Sequence, residues 1–388
     1  MIRSDHSTNT SLLLLIAGAK GAVASTLAVA LAAMQSDEAS VLPNLTTGNM
    51  FDSLGPLSST RLAGWDTSDH SLTESIKMQG VLPDSVWQPH AEFLDRIPVC
   101  QAPGAEMEFR SQVEQLIQDI TIFRSRHEGM RPVLINLLPA AAPFDLGDCR
   151  SLSDIFERAD ATVLSDLAYT LAAVFSGVPV VNFTPNTVEL TPVLNEAVKR
   201  GVPIAGRDGK TGQTYFKVVL ASALKARNLM VDGWYSLNIL GNADGANLMD
   251  PNRASGKLRN KTNLLNDILD YTVGENYGMP AHKVRIDYYP PRGDAKEAWD
   301  VIDFKGLFGL PMSLRVNLQA RDSILAAPLV FDLARWVAIL QMAGRSGPVP
   351  QLAFYFKIAV GESPPQTFQD QVAGLLSLER ECEENLRR

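Results

Sequence analysis

Residues 12–17, LLLLIA, form an apolar run with no polar face. A strand of that kind is buried on both sides, the condition of a central strand in a parallel sheet. Gly18, Gly21 and Ala24 follow at the spacing GxxGxxA, and STLAVALAAM then reads as a helix. Strand, tight turn and helix make a dinucleotide-type phosphate site. Small residues let the backbone approach a pyrophosphate and let the helix pack on the strand. The usual GxGxxG has Gly where this chain has Lys20, so an ordinary strand-to-helix turn explains the same residues. Asp66, closing TRLAGWD, is a candidate for the acid at the end of the second strand if 36–58 form an inserted loop. Arg3 followed by LLLLIAGA imitates a secretory leader, but Lys20 interrupts the run and a buried strand accounts for it better.

Further strands are expected at RPVLINLL (131–138), VPVVNFTP (178–185) and VPI (202–204), with helices between them, one ending near 125 and one stopping at Gly177. Strands alternating with helices imply a doubly wound parallel sheet. From about 234 the texture changes. WYSLNIL, KVRIDYYPP, AWDVIDFKGLFG and MSLRVNLQA alternate polar and apolar residues, which suits an antiparallel sheet with one covered face. DSILAAPLVFDLARWVAILQMA reads as a long helix, LAFYFKIAV as a strand and FQDQVAGLLSLERECEENL as a final helix. The expected architecture is α/β: a Rossmann-type domain from 1–233 and 335–388, with an inserted, mainly antiparallel α+β domain at 234–334.

The 388 residues suffice for two cores. A formal net charge of −8 argues against a nucleic-acid binder, which needs a basic balance. Three cysteines without a CxxC pair and five scattered histidines suggest a reducing, cytoplasmic setting and no metal site. No window offers about 18 uninterrupted apolar residues, so no membrane span is expected.

Two loop-like segments, GRDGKTGQT and GNADGAN, flank one ordinary helix. Asp208, Lys210, Thr211, Gly212, Gln213 and Thr214 fall just before that helix. Free N–H groups at its start form an anion site that Thr hydroxyls and a Lys can complete. A capped helix behind a Gly turn explains the pattern equally well. Lys257 and Lys261 stand i,i+4 in GKLRNKTNLLND, on one face if that segment is helical. A solvated basic face is the plainer account of them. Lys296 lies in the turn RGDAK, and Lys357 interrupts LAFYFKIAV, where a Lys is uncommon unless paired or functional. Asp322 heads a helix, where an acid favours the dipole; Asp208 and Asp244 also suit turns.

In this order the segments resemble inositol-3-phosphate synthase, also called myo-inositol-1-phosphate synthase. The family's GDD-K-SGQT loop is met by GRDGKTGQT, its SYNHLGNNDG-N-L by WYSLNILGNADGANL, and its SKEISKS helix by SGKLRNKT. Its GDSK turn is met by RGDAK, its EDSLLAxPL by RDSILAAPL, its GGWD by AGWD, and its late Lys by Lys357. The resemblance covers about residues 12–360. It implies conversion of glucose 6-phosphate to inositol 3-phosphate, an isomerase step of inositol and phospholipid biosynthesis, with tightly held NAD. It implies cofactor contacts at Gly18, Ala19, Lys20, Gly21, Ala22, Val23, Asp66, Asn186, Thr187, Asp208, Asn242 and Asp244. It places the substrate phosphate on Thr211, Gly212, Gln213 and Thr214, with Lys261 and Lys296. The chemical residues it carries over are Asp208, Asp244, Lys257, Lys261, Lys296, Asp322 and Lys357. NAD accepts a hydride from C5, C6 loses a proton, the enolate closes on the C1 aldehyde, and the hydride returns. Fixed ammonium groups suit the oxyanions formed on this path, and crowding of lysines favours proton exchange near neutral pH. A homotetramer built through the second sheet is also implied.

Ile239 stands where the family has His, Ala243 where it has a second Asn, Asn266 where it has Asp, and Tyr215 where many members have Lys. A second reading is a related NAD-dependent cyclase or oxidoreductase acting on another sugar phosphate. A third is a non-catalytic NAD-binding protein, against which the retention of four lysines argues.

Overall fold

The computed structural model describes residues 11–36, 49–142, 144–146, 148–159, 165–249 and 264–388. Its first strand is the predicted one: β1, Leu12–Ala17, is buried along its whole length. Alternate residues divide the interior in two. Leu12, Leu14 and Ile16 pack under the helices Ala22–Gln35 and Asp322–Met342. Leu13, Leu15 and Ala17 pack under Phe109–Arg126 and Ser165–Phe175. An unbroken apolar run is what a strand with helices on both faces requires.

Around β1 lie β2 (Arg61–Asp66), β3 (Val99–Gln101), β4 (Arg131–Asn136), β5 (Val180–Asn182), β6 (Pro203–Gly206) and β11 (Gly347–Pro348). The sheet order is β11-β6-β5-β4-β1-β2-β3, with every pairing parallel. Its middle is the 3-2-1-4-5-6 order of doubly wound dinucleotide folds, in which the crevice opens where the order reverses, between β1 and β4.

A second sheet is built from β7 (Met230–Leu240), β8 (His282–Tyr288), β9 (Ala295–Lys305) and β10 (Pro311–Arg321) in the order β10-β9-β7-β8. Two of its pairings are antiparallel and β7–β8 is parallel. Trp234, Ser236, Asn238 and Leu240 of β7 are buried, while the residues between them are more exposed. The chain is therefore α/β with a parallel and a mainly antiparallel sheet, as expected.

LAFYFKIAV is not a strand. Pro350–Phe354 is a 3-10 helix, and only Phe356 forms a bridge, to Gly209. Leu352, Tyr355 and Phe356 belong to the core beside the helix Asp322–Met342, so burial and not sheet pairing accounts for their apolar run. That helix is the one among the described residues long and apolar enough to cross a membrane, and 72% of its apolar window is buried inside the protein. The Lys257–Lys261 helix expected from the sequence lies outside the described residues.

Candidate functional site

The turn after β1 is shaped by backbone and by one acid. Gly18 has φ +83°, and a Cβ there would sit 3.1 Å from the Leu137 carbonyl oxygen. The N–H groups of Gly18 and Ala19 both donate to the Trp65 carbonyl at 3.0 Å. Asp66 accepts from the N–H of Lys20 at 2.8 Å and of Ser68 at 3.0 Å. Its carboxylate therefore braces the turn. The Lys20 ammonium donates to the Ser68 carbonyl at 2.5 Å. The next helix begins behind Gly21 with no side-chain cap, so its first N–H groups are left for a ligand.

The GRDGKTGQT loop crosses the end of β6 and is sewn to the late chain. Asp208 sits in the left-handed region at φ +61°. Its N–H donates to the Thr184 carbonyl and its carbonyl accepts from the N–H of Lys357, each at 2.8 Å. Lys210 does not complete an anion site as the sequence suggested. Its ammonium is buried, donating to the Ala353 carbonyl at 2.9 Å and to Gln371 Oε1 at 2.7 Å. Burial without a counter-charge pushes its pKa down to about 7. Thr211 Oγ1 does turn toward the site, donating to Asp322 Oδ1 at 2.8 Å. The helix Gln213–Ala226 starts behind Gly212, again with no side-chain cap.

Two ammonium groups come from distant chain. Lys296, at the start of β9, lies 3.3 Å from Asp322 Oδ1. Lys357 Nζ lies 2.6 Å from Asp208 Oδ1, in a pair that is almost wholly buried. The expected crowding of lysines involves Lys257 and Lys261, which lie outside the described residues; Lys296 and Lys357 each have a carboxylate partner. Asp294 is buried beside this cluster and accepts from Ser323 Oγ at 3.0 Å, and burial pushes its carboxyl up.

Asp208, Thr211, Lys296, Asp322 and Lys357 share one cavity of about 520 Å³, within the usual range for small-molecule sites. It is lined by Gly21, Ala22 and Val23 of the first turn, by Leu137–Ala140 beyond β4, and by Thr184 and Pro185 beyond β5. Asp208, Thr211, Gly212, Gln213, Thr214, Asn238, Asn242, Lys296, Asp322 and Lys357 also line it. The cavity sits at the crevice that the sheet order creates. A phosphate-bearing ligand would meet two uncapped helix starts and two ammonium groups within it.

Several expected contacts lie elsewhere. Gly18, Ala19, Lys20 and Asp66 are not among the residues that line the cavity; they shape the turn. Thr187 is exposed and Asn186 is spent on structure. The Asn186 amide donates to Asp166 and to the Pro139 carbonyl, and its oxygen accepts from the N–H of Ala141. It thereby fixes the loop after β4, whose residues line the cavity. Lys257 and Lys261 lie outside the described residues, as does the side chain of Asp244.

Two buried networks were not anticipated. Asp166 collects the amides of Asn136 and Asn186 and the hydroxyl of Thr184 at the carboxyl ends of β4 and β5. Asp300 collects Trp234, Ser236 and Gln213, the last at 2.8 Å. An Asn at the end of an apolar strand, as in VLIN and PVVN, was the available signal for the first network. Asp300 and its neighbour Lys217 gave none.

The departures from the family pattern find places too. Ile239 points to the opposite face of β7 from Asn238 and Leu240, which line the cavity. Tyr215 stacks edge-on against Phe216, Phe354 and Phe368. Asn266 accepts from the N–H of Val273 at 3.3 Å and is not part of the cavity wall.

The family model described as myo-inositol-1-phosphate synthase matches residues 212–323. An inositol-3-phosphate synthase 1 of Bacteroides thetaiotaomicron is 40% identical over 266 residues, covering 67% of this chain and 61% of the relative. The inositol-3-phosphate synthase 1 of Homo sapiens is 30% identical over 364 residues, covering 84% and 63%. The chain thus spans about three fifths of the length of these curated relatives. Among solved structures, an inositol-3-phosphate synthase from Caenorhabditis elegans superposes with a TM-score of 0.83 over 97% of this chain and 86% of that one, at 20% identity. A myo-inositol-1-phosphate synthase-related protein from Thermotoga maritima gives 0.74 over 96% and 98%, at 21% identity. At such identities the two structures speak for the fold.

Proposed function

We propose that this chain, which belongs to the inositol-3-phosphate synthase family, is an NAD-dependent isomerase converting D-glucose 6-phosphate to 1D-myo-inositol 3-phosphate. The observation that carries the reading is the single cavity lined by the first glycine turn, by Gly212–Thr214 and by two lysine–carboxylate pairs. The residues present fit a dinucleotide. The positive φ and close approach at Gly18 leave no room for a side chain there, and the helix behind Gly21 has free N–H groups. Gly21, Ala22, Val23 and Asn242 would hold it, with Asp66 bracing the turn. When bound, NAD supplies a reversible hydride acceptor.

The remaining chemistry falls to the chain. The helix start at Gly212–Thr214 holds the sugar phosphate, and Thr211 and Lys296 lie beside it. Lys296 and Lys357 face oxygens that become anionic as the enolate forms and the ring closes. Asp322 and Asp208 keep these ammonium groups at fixed points, so no reorganisation is needed as charge develops. The 2.6 Å contact between Lys357 Nζ and Asp208 Oδ1 is also a path along which a proton can leave and return. The family pattern gives Lys257, Lys261 and Asp244 parts in the same chemistry.

The proposal includes a cytoplasmic setting, in keeping with the free cysteines Cys100, Cys149 and Cys382. It includes the division into a nucleotide domain (1–233 and 335–388) and a catalytic and assembly domain (234–334). It also includes a homotetramer formed through the second sheet. Exposed Tyr235 and Trp299 on one face of its strands, and exposed Leu307, Phe308 and Leu310 in the loop after Lys305, support that contact.

The direct test is incubation of the purified protein with NAD and glucose 6-phosphate, with the product identified by NMR. A cyclic inositol monophosphate is expected. Unchanged substrate, or an acyclic oxidised sugar phosphate, would overturn the reading.

A further inference from the structure

A file of buried side chains runs from inside the second sheet to the cavity wall. Lys217 Nζ donates to Ser236 Oγ at 3.0 Å and stands 2.8 Å from His282 Nε2. Ser236 gives its hydroxyl proton to Asp300 Oδ1 at 2.6 Å, and Trp234 Nε1 donates to the same oxygen at 2.7 Å. Gln213 Nε2 donates to Asp300 Oδ2 at 2.8 Å. Asn238 Nδ2 donates to Gln213 Oε1 at 2.6 Å. Lys217, Ser236 and Asn238 are at most 2% exposed, and Asn238 Oδ1 has no partner among the described residues.

The direction of every bond in this file follows from one charge. An ionised carboxylate is an acceptor only. Asp300 accepts from Trp234, Ser236 and Gln213, and Lys217 stands one hydroxyl away from it. Asp300 must therefore take the NH₂ end of Gln213. That leaves Gln213 Oε1 to take the NH₂ end of Asn238, and Asn238 is left with an unpaired oxygen. A buried acceptor without a partner is costly and calls for an explanation. Asn238 lines the cavity, so a ligand hydroxyl is the group that can relieve it.

We propose that Asp300 is a positioning residue: its charge, braced by Lys217, sets the direction of the Gln213 and Asn238 amides, so that the cavity offers an acceptor and reads a hydroxyl of its ligand. The inference rests on the sugar-phosphate reading above and adds to it which buried groups decide selectivity. Asp300 itself is not among the residues that line the cavity. An Asn at 300 keeps its oxygen toward Trp234 Nε1 and turns its NH₂ toward Gln213, so the Gln213 and Asn238 amides reverse and the cavity no longer offers an acceptor.

The test is calorimetric binding of glucose 6-phosphate and of its 2-, 3- and 4-deoxy analogues to the full chain. Wild type is expected to lose about tenfold or more in affinity for one analogue, the effect of leaving a buried acceptor unpaired. In Asp300→Asn that ratio should fall to within about twofold, while the preference for glucose 6-phosphate over glucose persists. Gln213→Leu is the second variant. It cuts the file beyond Asp300 and leaves Trp234 and Ser236 to satisfy the carboxylate, so it decides the matter if Asp300→Asn does not fold. A variant that retains the wild-type discrimination overturns the proposal, as does a uniform loss across all ligands with unchanged ratios. Wild type that binds glucose 6-phosphate but treats all analogues alike overturns this inference alone. Wild type that binds no sugar phosphate overturns the parent reading with it.

Discussion

Replacing Lys357 separates a structural from a chemical role, because the structure gives it a partner whose loss can be compensated. Lys357→Met removes one member of a pair whose side chains are 12% and 4% exposed. Leaving a buried carboxylate without its cation costs about 3–5 kcal/mol. At roughly 2.1 cal/mol/K per residue, 388 residues have an unfolding entropy of about 0.8 kcal/mol/K, so the melting temperature should drop by roughly 4–6 °C. Lys357→Met/Asp208→Asn removes both charges and should recover most of that loss. Turnover should behave otherwise. Loss of a fixed cation facing a developing oxyanion costs about 10²–10³ in rate, and the double variant cannot restore it. Melting curves read by fluorescence, with product formation followed by NMR, give both numbers on the same samples. Activity that recovers along with stability would refute the chemical role and leave Lys357 as the counter-ion of a buried acid.

Gly18→Val should abolish retention of NAD, since its φ of +83° disfavours a branched residue and the added Cβ meets the Leu137 carbonyl; undiminished NAD in extracts of the denatured variant would remove the turn from the cofactor site. Inorganic phosphate or glucose 6-phosphate should raise the melting temperature, by about 2.7 kcal/mol of stability at a hundred times Kd; equal stabilisation by glucose would remove the phosphate site. Lys210 makes stability depend on pH. Its folded pKa is pushed down to about 7, below the unfolded value, so between those values the unfolded chain binds more protons and stability rises with pH. Wild type should therefore gain on Lys210→Met by up to about 1.4 kcal/mol per pH unit between pH 7 and 9, and parallel denaturation midpoints across that range would show that the buried group does not titrate there.

What the sequence made legible was local. Six apolar residues running into a Gly turn fit a two-sided strand, and LLLLIA became β1; alternation in WYSLNIL announced a one-sided sheet, and from Trp234 on β7 buries every second residue. LAFYFKIAV misled because an apolar run reports burial, and a 3-10 turn packed against a helix buries as well as a strand does. Lysine roles were least legible. GRDGKTGQT advertised Lys210, but its ammonium turns to Gln371 on the last helix, and the cation beside Asp322 is Lys296 from another sheet. Only the path of the whole chain decides which lysine arrives, and no window of sequence contains it. Asn186 was ambiguous for a related reason: an Asn in a loop at a strand end suits a ligand and a buried carboxylate equally, and its amide donates to Asp166.

The strand register explains how one sheet serves two purposes. Residues opposite one another on neighbouring strands share a face, and so do every second residue along each. Lys296, Ala298 and Asp300 of β9 therefore lie on one face, with Ser236 opposite Asp300 and Asn238 opposite Ala298. Lys296 is opposite Ala320 of β10, two residues before Asp322 heads the helix that returns to the parallel sheet. The covered face thus carries the cavity lysine, the amide that lines the cavity and the carboxylate that orients it. The other face carries Tyr235, Ile239 and Trp299. A substitution there leaves the lining of the cavity unchanged, and Ile239, where the family pattern has His, is on that face.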